Sequence, residues 1–249
     1  MKKIINNFFT ALTFMSRIPV KLKEVSELKL NYFPLVGLLL AVIIIISEYF
    51  LSYIFAVEIR ALLLLIIYIY LTGALHLDGL GDFADGFFAG RGKEKTIKIM
   101  HDSNSGIFAL VTLILILALK YLLFKELLLG ENIQAIIIMA VLIRYILGYV
   151  VIFIEPAESS MLGGALSKSA EVIDLFYSTL ITIFIFCIYF YFKGSFLLYP
   201  ILLSIVLISF LVFYLAGWSY KKLGGITGDI HGAIIELGEL IFLLTLSIF

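Results

Sequence analysis

Charge is scarce in this 249-residue chain: Asp, Glu, Lys and Arg make up 14% of it, hydrophobic residues make up 63%, and the mean hydropathy is +1.14. A soluble domain carries roughly 25% charged residues, so a chain this poor in charge cannot cover a water-facing surface and is excluded from that class. Its 18 basic and 18 acidic residues cancel, which removes the basic face that nucleic-acid binding requires. The single cysteine, Cys187, excludes an intramolecular disulfide; because it lies within an apolar run, a buried thiol is expected. No cleavable signal peptide is expected, since Lys2 and Lys3 lead into Ile4-Ile5-Asn6-Asn7-Phe8-Phe9 rather than an unbroken apolar core. Walker loops, zinc-ligand spacings and Ser-His-Asp arrangements are missing too.

What is present is long apolar runs, at roughly 33–56, 60–76, 107–129, 133–154, 173–192, 196–217 and 231–249. They predict an all-α, polytopic membrane bundle of about seven transmembrane helices, with residues 1–249 forming a single membrane domain. Ahead of the first run, residues 4–17 place Ile4, Phe8, Leu12 and Met15 on one helical face, stopped by Pro19. That segment is an interfacial helix on the membrane or a helix packed on the bundle. Seven crossings put 1–31, 77–106, 155–172 and 218–230 on one side, with 13 of the 18 Lys and Arg. The positive-inside rule makes that side the cytoplasm, so the protein is expected in the cell (inner) membrane with these loops facing inward.

Only six residues are aspartate, and three fall in His76-Leu77-Asp78-Gly79-Leu80-Gly81-Asp82-Phe83-Ala84-Asp85-Gly86. On a helix Asp78, Asp82 and Asp85 sit at i, i+4 and i+7, within about 60° of one another. Carboxylates so crowded repel, and a divalent cation held by oxygen ligands is the usual answer. His76 is either a ligand or proton-transfer group, or an interfacial polar anchor. Farther on, Arg91 offers a bidentate fork to phosphate, Lys93, Lys95 and Lys98 look like topology determinants, and Asp102 either caps the next helix or completes the carboxylate group.

The last cytoplasmic loop, Gly224-Gly225-Ile226-Thr227-Gly228-Asp229, is a glycine-rich turn entering a helix, suited to an anion through free N–H groups and the helix dipole. Gly225, Thr227 and Gly228 are candidate substrate contacts and Asp229 a candidate metal ligand. Glu236 and Glu239 share a face that should turn to the bundle, because facing lipid is costly. Arg144, within a span, pairs with an acid there or reaches phosphate. Carboxylates, glycine turns and a few cations at one membrane face suit metal-assisted phosphoryl or phosphodiester transfer.

Several blocks, among them Ser16-Arg17-Ile18-Pro19-Val20, Tyr32-Phe33-Pro34-Leu35-Val36-Gly37, Gly73 through Gly86, Ile99-Met100-His101-Asp102-Ser103 and Gly224 through Asp229, resemble the cobalamin synthase family, the adenosylcobinamide-GDP ribazoletransferases. The resemblance covers nearly the whole chain, departing at Gly81, His101 and His231 but leaving the acids intact. It implies a Mg²⁺-dependent reaction of adenosylcobinamide-GDP with α-ribazole or its 5′-phosphate, releasing GMP. On that reading Asp78, Asp82, Asp85 and Asp229 would hold the metal, and Asp82, His76 and Asp102 would be catalytic. A CDP-alcohol-type headgroup phosphotransferase is the neighbouring reading, though the Ala-Arg after Asp-Gly is lacking. A cation transporter is a more distant one, since ionisable residues are expected at one end of the bundle. The lipid bilayer is a necessary partner, and a homo-oligomer is left open.

Overall fold

The computed structural model describes residues 2–20, 27–88, 92–102, 104–157, 171–194 and 197–249. Arg91, Lys21, Lys23 and most of the small-residue loop after Ala157 lie outside the described residues. Those described form ten α-helices: α1 Lys2–Met15, α2 Phe33–Leu51, α3 Val57–Thr72, α4 Leu75–Phe88, α5 Lys93–Met100, α6 Ile107–Leu129, α7 Ala135–Phe153, α8 Val172–Lys193, α9 Leu198–Leu223 and α10 Gly228–Leu246. A 3-10 turn, Leu30–Tyr32, leads into α2, and among the described residues there are no strands, only one isolated bridge.

Local chemistry sets the ends. Pro34 stands in the first turn of α2, where its missing N–H costs nothing. Glu171 and Asp174 form a capping box at the start of α8. Gly73 and Gly224, both in the left-handed region, terminate α3 and α9.

Five helices are long and apolar enough to cross a membrane alone: α2 with its preceding 3-10 turn, α6, α7, α8 and α9. The count of seven is not reached, for two physical reasons. The run 60–76 ends at the Gly73 turn, where α4 departs from α3 at 88°; α4 itself, about 21 Å long, is too short to span. Counted as one bent element, the pair gives a sixth. In α10, Asp229, Glu236 and Glu239 interrupt the apolar run. Helix α1 packs on α2 and buries Ala11, Leu12 and Met15 while Ile4 and Ile5 stay exposed, so packing on the bundle is realised along its C-terminal half. Cys187, expected buried, is exposed on the outer face of α8.

At the centre, α7 lies against α2 so closely that a Cβ on Gly37 would stand 2.3 Å from the Ala140 carbonyl oxygen. Beside it runs a buried ionic network. The Lys120 ammonium on α6 donates to Glu236 at 2.6 Å and Glu239 at 2.9 Å, both on α10. Arg144 on α7 donates to Glu239 at 2.8 Å and to the Tyr68 hydroxyl of α3 at 3.0 Å; that hydroxyl in turn donates to Glu239. Two cations and two carboxylates make the group neutral, and every member is at most 4% exposed. The expectation that Glu236 and Glu239 face the bundle holds. The expectation that ionisable groups gather at one end does not, because these four lie within the helices, where each has a partner of opposite sign.

Lys120→Met leaves two carboxylates facing Arg144 alone; the loss should be roughly 3–5 kcal/mol, seen as a marked fall in the thermal midpoint of the purified protein. An unchanged midpoint would show that the network does not hold α10 in place.

Candidate active site

The site is assembled where two helices touch backbone to backbone. Gly73 (φ +65°) and Ala74 (φ +55°) turn the chain into α4. There a Cβ on Gly79 would lie 2.9 Å from the Asp229 Cα, and one on Gly232 would lie 2.9 Å from the His76 carbonyl oxygen and 3.3 Å from the Gly79 Cα. Helix α10 packs more extensively on α4 than on any other element. This crossing brings Asp78 and Asp82 to the first turn of α10, beside Asp229.

The turn before α10 is fixed by pairing with the end of α7. The Ile226 N–H donates to the Glu155 carbonyl at 3.0 Å, and the Ala157 N–H donates to the Ile226 carbonyl at 2.9 Å. Gly225 (φ +156°) has no room for a side chain, since a Cβ would meet the Ala157 nitrogen at 2.5 Å. Thr227 donates to the Asp229 carboxylate at 3.3 Å. On the outer side, the Lys93 ammonium comes within 3.0 Å of where a Gly224 Cβ would be. Lys93 thus sits against the glycine turn, a placement hidden in the sequence because three neighbouring lysines read as topology determinants.

Asp82 is half-buried, and burial first, then the like charges of Asp229, Asp78 and Asp85, push its carboxyl up to about 7. Burial also raises Asp229, reinforced by Asp78 and opposed by the Thr227 hydrogen bond and by His101. Asp78, Asp82 and Asp229 therefore share one site, and among the described residues none of them has an ion-pair partner.

Other expected members are placed differently. Asp85, expected on the metal, accepts from the Gly106 N–H at 2.6 Å and the Ala109 N–H at 2.9 Å, and so caps α6, whose N-cap residue is glycine. Asp102, considered for that cap, is exposed and accepts instead from the backbone and side chain of Asn104, both at 3.0 Å, which lowers its pKa. His76 is buried, its Nε2 has no partner among the described residues, and burial followed by the nearby Arg144 charge depress it to about 3. An imidazole held neutral in this way is a weak proton acceptor. Arg144 is fully buried on Glu239 and Tyr68, so the in-bundle pairing is realised and the guanidinium is not presented to a phosphate.

Among the described residues no three His, Cys, Asp or Glu side chains converge tightly enough to hold a metal ion on their own. Mg²⁺ seldom asks for that: it keeps several waters and is bound through one or two carboxylates plus substrate phosphate. Mutually repelling Asp78, Asp82 and Asp229 beside an anion-ready turn fit such an ion.

Fold and site together define a polytopic membrane protein in which three aspartates lie beside a glycine turn at a helix N-terminus. The profile of the cobalamin-5-phosphate synthase family matches residues 7–247, and the chain belongs to that family. It is 36% identical to an adenosylcobinamide-GDP ribazoletransferase of Treponema denticola, over 96% of each chain. It is 32% identical to one of Clostridium kluyveri, over 100% of this chain and 98% of the relative, and 35% identical to one of Pseudomonas putida, over 97% and 98%. No solved structure matches.

Two glycines of α4 should respond oppositely to alanine. Gly79→Ala drives a methyl into the α10 backbone and should cost roughly 1–3 kcal/mol. At Gly81 the nearest atoms, the Ala109 Cβ and Leu113 Cδ1, stand at 3.5 Å, an ordinary contact. Gly81→Ala should leave stability unchanged or gain about 0.5–1 kcal/mol of helix propensity. Thermal unfolding of both variants checks the pair, and equal responses would contradict the crossing.

Proposed function

We propose that the protein is a Mg²⁺-dependent adenosylcobinamide-GDP ribazoletransferase, joining adenosylcobinamide-GDP to α-ribazole or its 5′-phosphate with release of GMP. In the reaction a ribose hydroxyl oxygen of the acceptor bonds to the cobinamide-side phosphorus and gives up its proton to solvent, the diphosphate bridge to that phosphorus breaks, and GMP leaves with the bridging oxygen. The observation that carries this reading is the α4–α10 crossing, which sets Asp78, Asp82 and Asp229 together next to a glycine turn, with no ion-pair partner among the described residues.

Asp78, Asp82 and Asp229 would hold the metal. Bound there, Mg²⁺ would supply Lewis acidity to the diphosphate and neutralise its charge. The N–H groups at the start of α10, around Thr227 and Gly228, favour an anion through the helix dipole. Lys93, against Gly224, adds a positive charge on the same side, and Thr227 orients Asp229 through its hydroxyl. Asp85 contributes by fixing the start of α6 against α4. A cytoplasmic position at the cell membrane belongs to the same reading; it is supported by the 13 of 18 Lys and Arg that lie in segments 1–31, 77–106, 155–172 and 218–230, which include the site's loops.

The test is turnover by the purified protein in lipid nanodiscs with adenosylcobinamide-GDP, α-ribazole and Mg²⁺, following GMP. Product should form and should disappear on chelation. Asp82→Asn should lower GMP release by roughly 100-fold or more while the protein still inserts in the membrane. Full turnover by that variant would remove Asp82 from the mechanism.

A further inference from the structure

Behind the acid cluster, between α1, α4, α7 and α10, lies a cavity of about 200 Å³. It is well below the roughly 300–1,000 Å³ of a pocket that encloses a drug-sized ligand, so it admits one bicyclic ring and excludes a corrin. Its walls are mostly apolar, including Phe14, Leu147 and Ile235, and two histidines also line it, His76 from α4 and His231 from α10. Both are more than nine-tenths buried, and the Nε2 atom of each lacks a hydrogen-bond partner among the described residues. A buried polar nitrogen left without a partner is costly, and two lining one cavity point to a ligand that supplies one. Asp78 and Asp229 line the same cavity, so it is continuous with the acidic site.

Resting on the ribazole-transfer reading, we propose that this cavity is the acceptor subsite. It takes the apolar heteroaromatic base of the nucleoside, offers the His231 Nε2–H to the single lone pair of the base's unsubstituted ring nitrogen with His76 on the neighbouring wall, and leaves the ribose at Asp78 and Asp229. A base with apolar edges and one in-plane nitrogen matches apolar walls with imidazole nitrogens. A purine bearing exocyclic polar groups would strand them against those walls. The pairing also explains why His231 stands on the α10 face turned to α4, where Gly232 lets the backbones meet.

Kinetics with both substrates varied test the assignment. His231→Phe should raise KM for α-ribazole about tenfold or more while KM for adenosylcobinamide-GDP stays within about twofold; His231→Asn, which keeps a polar group, should recover part of the loss. A measurement on the unaltered protein guards against a folding defect: the indole riboside, with carbon in place of the free ring nitrogen, should also show a KM at least about tenfold higher. GMP release with an acceptor KM unmoved by His231→Phe and indifferent to the ring nitrogen would remove the cavity assignment and leave the reaction standing. Absence of GMP release from the unaltered protein with α-ribazole would remove both.

Discussion

A charge within an apolar medium has to find its opposite, and the neutral cluster of Lys120, Arg144, Glu236, Glu239 and Tyr68 is where this chain meets that requirement. Helix α10 carries both carboxylates, and turned to lipid each would be costly. The cations come from α6 and α7 and the hydroxyl from α3, so α10 is drawn into the middle of the bundle and its rotation about its own axis is fixed. Asp229 lies seven residues before Glu236, about 10 Å along the axis. Neutralising the buried acids therefore also sets the height and direction of the site acid at the helix's start.

Close approach is the second determinant, and it works only because charge has already placed α10. Gly79 and Gly232 remove the side chains that would keep α4 and α10 at ordinary interhelical distance, so the backbones meet where Asp78, Asp82 and Asp229 lie together. The same crossing lines up His76 and His231 along one cavity. Gly225 does the equivalent work in the turn, where it alone permits the pairing with Pro156 and Ala157 that ties the end of α7 to the start of α10. Small residues here mark approach between backbones, as membrane helices commonly use them.

The class of fold and the position of the acids were legible in the sequence, because both rest on local signals: apolar run length and aspartates at i, i+4 and i+7. The bend between α3 and α4 was not, because the apolar run continues through Gly73 while the backbone reverses its handedness there. For a related reason the cap on α6 was considered at the wrong aspartate: Asp85 provides it, and Asp102 bonds Asn104 instead. A cap is identified by which N–H groups it reaches, and Asp85 reaches those of α6 from 21 residues before Gly106, a distance in sequence that no capping pattern describes. Arg144 carried two readings until its partner was known, and Cys187 was misjudged because hydropathy records that a helix is apolar without saying which face meets its neighbours.

The carboxylates divide by their partners, and that division separates structure from chemistry. Glu48 has Arg60, Glu58 has Lys125, Glu236 and Glu239 share Lys120 and Arg144, and Asp174 has Lys29 and the start of α8. Asp85 has two backbone N–H groups. Each of these has a partner within the protein, and for the buried ones the loss of that partner would be felt as instability. Asp82 is the opposite case, surrounded by Asp229, Asp78 and Asp85 and raised by them together with its burial. Such an arrangement works against folding unless something outside the chain completes it. Asp78, Asp82 and Asp229 stand apart from these: exposed or half-buried, they lie close enough to repel one another, and none of them has an ion-pair partner among the described residues.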